Sequence, residues 1–242
     1  MESETALLKE MIASSKRIVF FGGAGVSTES GIPDFRSVDG LYNQKYKYPP
    51  EEILSHGFFK NKTAEFFKFY KDKIVNAKAN PQPNKAHLAL AKLEADGKLT
   101  AVITQNIDGL HQAAGSKNVL EVHGSIHRNY CMSCKTFFGI EAIIGAEIPK
   151  CDCGGMIKPD VVLYGESLDH DILEDAARHI LQADALIVGG TSLTVYPAVG
   201  LVNYYRGDKF VIINNSETPF DVKANLIIRG SIGNALSGGV GL

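Results

Sequence analysis

The chain has 242 residues, 45% of them hydrophobic and 21% charged, with a formal net charge of −2. That is an ordinary globular composition, long enough for a sizeable core in one large domain or in a large domain carrying a small one. No basic tract is present to neutralise nucleic-acid phosphates, no apolar run approaches the ~18 residues of a membrane span, and Met1-Glu2-Ser3-Glu4 has neither the basic nor the apolar region of a secretory leader, so no nucleic-acid or membrane partner is expected and a cytoplasmic location is.

In chain order, the first strong element is a buried strand over Arg17 to Phe21, which runs into Gly22-Gly23-Ala24-Gly25-Val26-Ser27-Thr28 and then Gly31-Ile32-Pro33-Asp34-Phe35-Arg36. Glycines at a strand-to-turn junction let backbone amides approach a pyrophosphate. The run Gly23-x-Gly25-x-x-Thr28 nevertheless lacks the third glycine of a hydride-transfer dehydrogenase fingerprint, and no second strand ending in an acid follows about 20 residues on. A purely structural Gly-rich turn is the competing reading at this point. The acid, ring and guanidinium at Asp34, Phe35 and Arg36 stand side by side on a loop, where function concentrates.

From Val38 to Pro83 the aromatic and lysine content, with Phe58, Phe59, Phe66, Phe67, Phe69 and Tyr70 clustered, predicts short helices packed over the site. Asn84 is a good N-cap for a helix carrying Leu88, Leu90, Ala91 and Leu93 and stopping at Gly97. Further apolar runs at Thr100 to Thr104, Val119 to Val122, Asp160 to Leu163, Ala185 to Val188, Lys209 to Asn214 and Leu226 to Ile228 read, with the first, as strands of a mostly buried parallel sheet. Asp169 caps a second helix, a third starts at Pro197, and Ser237 to Leu242 reads as a soft Gly-rich tail. Alternation of this kind predicts an α/β fold, a doubly wound, Rossmann-like parallel sheet, with ligands beyond the carboxyl ends of its strands.

All four cysteines lie between Ser125 and Ile157: Cys131-x-x-Cys134 and Cys151-x-Cys153, 16 residues apart. Two such pairs can face each other around one tetrahedral ion, and zinc is expected, with disulfides and inert buried thiols as the alternatives. Four thiolates close the coordination shell, so the ion is structural. The expected division is a nucleotide-binding domain over 1–37, 84–124 and 158–242, with a helical insertion over 38–83 and a zinc-binding insertion over 125–157 forming a small domain.

Two polar clusters fall at predicted strand ends: Thr104-Gln105-Asn106-Ile107-Asp108, and Glu121-Val122-His123-Gly124. His123 ends a buried strand and is suited, as a neutral imidazole, to accept a hydroxyl proton. Gly189-Gly190-Thr191-Ser192 and Asn214-Asn215 supply donors of the kind that hold ribose and phosphate, or else ordinary turn chemistry.

Together these motifs, in this order and with Gly165-Glu166, resemble the sirtuins, the NAD-dependent protein lysine deacylases related to the silent information regulator proteins, and the compact length is similar to bacterial members. The resemblance implies NAD as a consumed co-substrate and one structural zinc ion on Cys131, Cys134, Cys151 and Cys153. It implies that Gly23, Ala24, Gly25, Thr28, Gln105, Gly190, Thr191, Ser192, Asn214, Asn215 and the backbone near Ile232 hold ADP-ribose. Asp34, Phe35 and Arg36 would close over the cofactor, with Arg36 serving its phosphates and ribose, and Phe35, Ile107 and Asp108 would form the nicotinamide pocket, with Asn106 positioning ribose or water. His123 would be the general base. The acyl-lysine carbonyl oxygen would attack the nicotinamide ribose as nicotinamide leaves, and a ribose hydroxyl deprotonated through His123 would then attack the imidate, giving free lysine and 2′-O-acyl-ADP-ribose. Acyl-lysine proteins or peptides would bind as an added strand between Val161, Val162, Leu163, Tyr164, Gly165 and Glu166 on one side and the loop bearing Val195 on the other. Gly22 and Tyr164 depart from the residues common in the family without touching this chemistry. Members that prefer acidic acyl groups carry a Tyr-x-x-Arg pair where this chain has Phe67-x-x-Tyr70, so acetyl or longer apolar chains are expected. Mono-ADP-ribosyl transfer to protein is the alternative activity, and a zinc-stabilised NAD-sensing or scaffolding module without turnover is another.

Overall fold

Continuous apolar runs bounded by glycine or polar residues build the central sheet. A computed structural model describes residues 2–34, 40, 46–76 and 80–242. The first helix, α1 (Glu2–Ala13), leads into β1 (Ile18–Gly22); β2 (Leu99–Thr104) and β3 (Val119–Glu121) extend the sheet on one side. Beyond the excursions described below, β7 (Ala185–Gly189), β8 (Phe210–Ile213) and β9 (Leu226–Ile228) extend it on the other. The order β3-β2-β1-β7-β8-β9, with every pair parallel, is that of a doubly wound dinucleotide-binding sheet, and it reverses direction between β1 and β7. Register aligns Glu121, Thr104, Gly22, Gly189, Ile213 and Ile228 in one row across the carboxyl edge.

Both faces of the sheet are covered, which is why its strands read as unbroken apolar runs rather than alternating ones. Ile18 and Phe20 pack on one face with α1, α5 (Lys85–Ala95) and α9 (Ile232–Val240). Val19 and Phe21 pack on the other with α8 (His170–Gln182) and the 3₁₀ segment Ala198–Tyr204. The predicted caps are present: Asn84 Oδ1 accepts from Ala86 N–H at 2.9 Å, and Asp169 Oδ1 from Ile172 N–H at 3.1 Å.

The structure corrects three readings. The helix expected at Pro197 is 3₁₀ rather than α. The Gly-rich tail is the end of α9, where Cβ atoms at Gly238 and Gly239 would lie 2.8 Å from Thr5 and 3.0 Å from Leu8, so glycine there permits close approach of α1. The run at Asp160 to Leu163 is no part of the parallel sheet. Strand β6 (Ile157–Val161) pairs antiparallel with β4 (Gly124–Cys131), which also pairs with the short β5 (Phe137–Phe138). Its alternating burial, with Ile157, Pro159 and Val161 inward, is the pattern of a half-solvated antiparallel strand, whereas the central strands are buried throughout.

A third core joins this small sheet to α2 (Pro50–Ile53), α3 (His56–Asn61), α4 (Thr63–Phe69) and the π-helical turn Tyr70–Val75. Phe59, Phe66 and Phe67 meet edge to face at centroid distances of 5.0 to 5.9 Å, and Phe66 stacks on Tyr70. Ile143 of α7 (Glu141–Ile144), Ile157 and Val161 complete it.

Two buried histidines face each other under the carboxyl edge: His87 of α5 and His111 of α6 (Leu110–Ala113), with ring centroids 4.7 Å apart. His87 Nδ1 accepts from Asn84 N–H at 3.2 Å, while neither ring nitrogen of His111 has a partner among the described residues. Burial pushes their pKa values down to about 4 and about 3. An unfolded chain takes up protons on both rings as pH falls through ~6.5 and the folded chain does not, so stability present above that pH is lost toward pH 4 and below. Chemical-denaturant midpoints should therefore fall between pH 7 and 5, and the fall should be smaller in His111→Phe; an identical pH dependence in that variant would contradict the assignment.

Candidate active site

The aligned strand ends deliver their following residues to one crevice. Gly23 to Thr28 follow β1, Gln105 to Asp108 follow β2, His123 follows β3, Gly190 to Ser192 follow β7, and Asn214 and Asn215 follow β8. All of these except Val26 line a single cavity of about 1240 Å³, together with Asp34, Ile232, Val161 to Glu166 and Val195. Every predicted nucleotide and substrate residue that the structure describes is thus in one place; Phe35 and Arg36 lie outside the described residues.

The glycines of the cradle serve first to let two loops touch. A Cβ on Gly25 would lie 2.8 Å from Gly190 Cα, and one on Gly23 would lie 2.9 Å from Gly190 O. Gly23 N–H donates to Gly189 O at 3.2 Å and Gly25 N–H to Gly190 O at 2.8 Å. Gly190 itself has φ +60°, and a Cβ there would meet Val26 N at 2.4 Å. The cradle is anchored from outside as well: Asn84 Nδ2 donates to Val26 O at 2.7 Å, and Glu29 accepts from Ser231 Oγ and from Gly233 N–H at the start of α9.

A polar network fixes the loop after β2. Gln105 Nε2 donates to Thr191 Oγ1 at 3.1 Å, and Gln105 N–H to Gly22 O at 2.9 Å. Asn106 Nδ2 donates to Ser27 Oγ at 3.1 Å, and Ser27 Oγ donates to Asp108 Oδ2 at 2.6 Å. Asp108 Oδ1 accepts from Leu110 N–H at 2.9 Å, which aims the carboxylate while leaving it further acceptor capacity. Ser27 was missed as a site residue; its place within Gly23-x-Gly25-x-Ser27 was the available signal.

His123 Nδ1 lies 3.0 Å from Gln105 O. A carbonyl only accepts, so Nδ1 carries the proton and Nε2 is the basic nitrogen. Burial lowers the His123 pKa, opposed by that hydrogen bond, so the ring is neutral at pH 7.

The segment expected to receive peptide is tied to the helical insertion. His56 N–H donates to Tyr164 O at 2.9 Å, Tyr164 N–H to Leu54 O at 3.0 Å, and Val162 N–H to His123 O at 3.0 Å. Glu166 turns inward, accepting from Leu163 N–H at 2.9 Å and pairing with Lys158 at 3.0 Å and His56 at 2.7 Å, so its carboxylate shapes the loop. Phe67 and Tyr70 are buried in the third core; among the described residues Lys73 is the lysine of the cavity wall, and it pairs with Asp72 at 3.1 Å.

Away from the cavity, the four cysteine sulfurs lie within 4.8 Å of one another, with Sγ···Sγ distances of 3.5 Å for Cys131–Cys153 and Cys134–Cys153 and 3.6 Å for Cys134–Cys151. Zn–S bonds of ~2.3 Å set tetrahedral edges near 3.8 Å, whereas a disulfide is ~2.05 Å, so the cluster fits a zinc ion and no disulfide. Gly155 is required beside it, since a Cβ there would sit 2.6 Å from Cys131 Sγ.

Sheet order, switch-point crevice and cradle define a dinucleotide-binding α/β protein that also carries a four-cysteine cluster fit for a zinc ion. The Sir2 family model matches residues 23–197. The chain belongs to the Sir2 family. It is 59% identical to an NAD-dependent protein deacetylase of Clostridium acetobutylicum over 95% of both chains, and 43% identical to one of Staphylococcus aureus, again over 95% of both. Among solved structures, a Sir2 with deacetylated p53 peptide and 3′-O-acetyl-ADP-ribose superposes with TM-score 0.88 at 39% identity, covering 97% of this chain and 96% of that one. A Sir2 homologue in complex with NAD superposes with TM-score 0.86 at 43% identity, covering 97% and 92%.

Proposed function

We propose that this chain is an NAD-dependent protein lysine deacetylase that passes the acyl group of acyl-lysine to ADP-ribose and releases nicotinamide. The observation that carries the reading is the convergence, in one cavity, of the switch-point cradle, the Asn106–Ser27–Asp108 network and a neutral His123 whose Nδ1 is spent on Gln105. Similarity to named deacetylases at up to 59% identity supports it, as does the Sir2 complex holding both peptide and acetyl-ADP-ribose.

When bound, NAD supplies the ribosyl carbon from which nicotinamide departs and to which the acyl oxygen bonds. The residues of the β1, β7 and β8 loops, with Gln105 and the backbone at Ile232, hold its ADP-ribose portion. Ile107 and Asp108 hold nicotinamide, the carboxylate accepting from its carboxamide. Asn106, fixed by Ser27, positions ribose or water, so orientation contributes much of the rate. His123 Nε2 takes the proton of a ribose hydroxyl. Asp34 lines the same cavity, and the resemblance gives Phe35 and Arg36, which lie outside the described residues, their roles toward nicotinamide and the phosphates. Acyl-peptide pairs as a strand with the 161–166 segment and the Val195 loop, through main-chain hydrogen bonds that tolerate many sequences. The division into 1–37, 84–124 and 158–242 against 38–83 and 125–157 draws support from the separate third core, although β6 in the small sheet runs through its last boundary. No helix of the described residues is long and apolar enough to cross a membrane, and four clustered free thiols fit the reducing cytoplasm.

Incubation with acetyl-peptide and adenine-labelled NAD should yield labelled O-acetyl-ADP-ribose. Labelled protein instead would indicate ADP-ribosyl transfer, and intact NAD would indicate a binding module. An anionic acyl tail would meet the buried Tyr70 ring in the cavity wall, where no arginine stands three residues after Phe67, so acetyl should exceed succinyl in kcat/KM on one peptide by roughly tenfold or more; preference for succinyl would refute this.

A further inference from the structure

A second histidine stands four residues beyond His123, on β4. That strand runs from Gly124 to Cys131, and on its way it grips the loop after β2 at two successive carbonyls. Ile126 N–H donates to Ile107 O at 3.0 Å, and His127 Nε2 lies 3.1 Å from Asp108 O. Because a carbonyl only accepts, Nε2 of His127 carries the proton, and the bond survives in both charge states of the ring. The ring rests on Gly109, which has φ +72°; a Cβ there would lie 2.8 Å from His127 Cδ2 and 3.0 Å from Nε2. Gly109 thus satisfies both the left-handed turn and the close approach of the imidazole. His127 also borders the cavity.

We propose that His127 is a positioning residue of the nicotinamide pocket: it fixes the Asp108–Gly109 peptide from the small sheet, while Ser27 on the loop after β1 fixes the Asp108 carboxylate and Leu110 N–H holds it locally. The proposal rests on the reading that Ile107 and Asp108 bind nicotinamide. Asp108 is then clamped on main chain and side chain from different elements, and releasing the main-chain clamp loosens nicotinamide more than peptide. The imidazole is exposed and its bond competes with water, so the effect is moderate.

The test uses the full chain as wild type, His127→Ala and His127→Gln, measuring inhibition by nicotinamide, exchange of labelled nicotinamide into NAD, and kcat and KM for an acetyl-peptide. His127→Ala should raise the half-inhibitory nicotinamide concentration by about three- to tenfold with the peptide KM unchanged. His127→Gln, whose amide can donate to the same carbonyl, should restore it. Unchanged nicotinamide inhibition in His127→Ala, a uniform fall in every parameter, or a Gln variant as defective as Ala would overturn the assignment. A wild-type chain that neither exchanges nicotinamide nor consumes NAD would overturn the deacetylase reading itself, a result distinct from all three.

Discussion

Replacing His123 by alanine should reduce deacetylation by about 10²- to 10⁴-fold, the usual contribution of a positioned general base. The folded structure should survive, because among the described residues the ring's one hydrogen bond is to the Gln105 carbonyl. Exchange of labelled nicotinamide should persist in the same variant, since the base acts on a ribose hydroxyl only after nicotinamide has left. In the wild type, burial holds the His123 pKa below its ordinary value, so the acid limb of kcat/KM should lie below pH 6.5 rather than at it. Deacetylation at wild-type rate in His123→Ala would remove His123 from the mechanism; loss of exchange along with deacetylation would point to a defect in NAD binding instead.

Removing zinc should have the next largest effect. Apparent binding energies of structural zinc sites, on the order of 10–16 kcal/mol in small zinc modules, match or exceed the whole stability of a typical domain. Here β5 is only two residues long, and β4 and β6 are held together at Cys131↔Ile157 beside the cluster. Strand β4 also continues directly from His123, and its Ile126 anchors Ile107. Cys131→Ser, or a strong chelator, should therefore abolish metal binding, unfold the small sheet and third core, and remove activity, while the parallel sheet keeps its amide protection. Metal analysis should find one zinc ion per chain in the wild type. Folded, fully active protein without zinc would contradict the structural role.

Much of this was legible because the central strands are buried on both faces and advertise themselves as unbroken apolar runs. Phe20-Phe21, Val102-Ile103 and Ile187-Val188 need no tertiary information to be read as strands, and polar residues immediately after them mark the carboxyl edge. The Asp160 to Leu163 run misleads because period and length do not reveal which sheet a strand joins; its partner, β4, lies roughly thirty residues earlier in the chain. The Gly-rich tail reads as soft because glycine weakens a helix in isolation, whereas here the absence of side chains lets α9 pack on Leu8 and Ile12. Within the site, single-residue chemistry was visible and pairing was not. Nothing in the sequence joins Ser27 to Asp108, 81 residues away, or turns Glu166 toward Lys158 and His56. The cradle glycines read, from sequence, as making room for phosphate, but Gly23 and Gly25 first make room for Gly190.

The central claim is that NAD is consumed as a substrate, one molecule for each lysine freed. Nicotinamide, O-acetyl-ADP-ribose and deacetylated peptide should be quantified in the same quenched samples across a time course with wild-type protein. Equal amounts of all three at every time point are predicted; deacetylated peptide accompanied by free acetate, with NAD unchanged, would contradict the account.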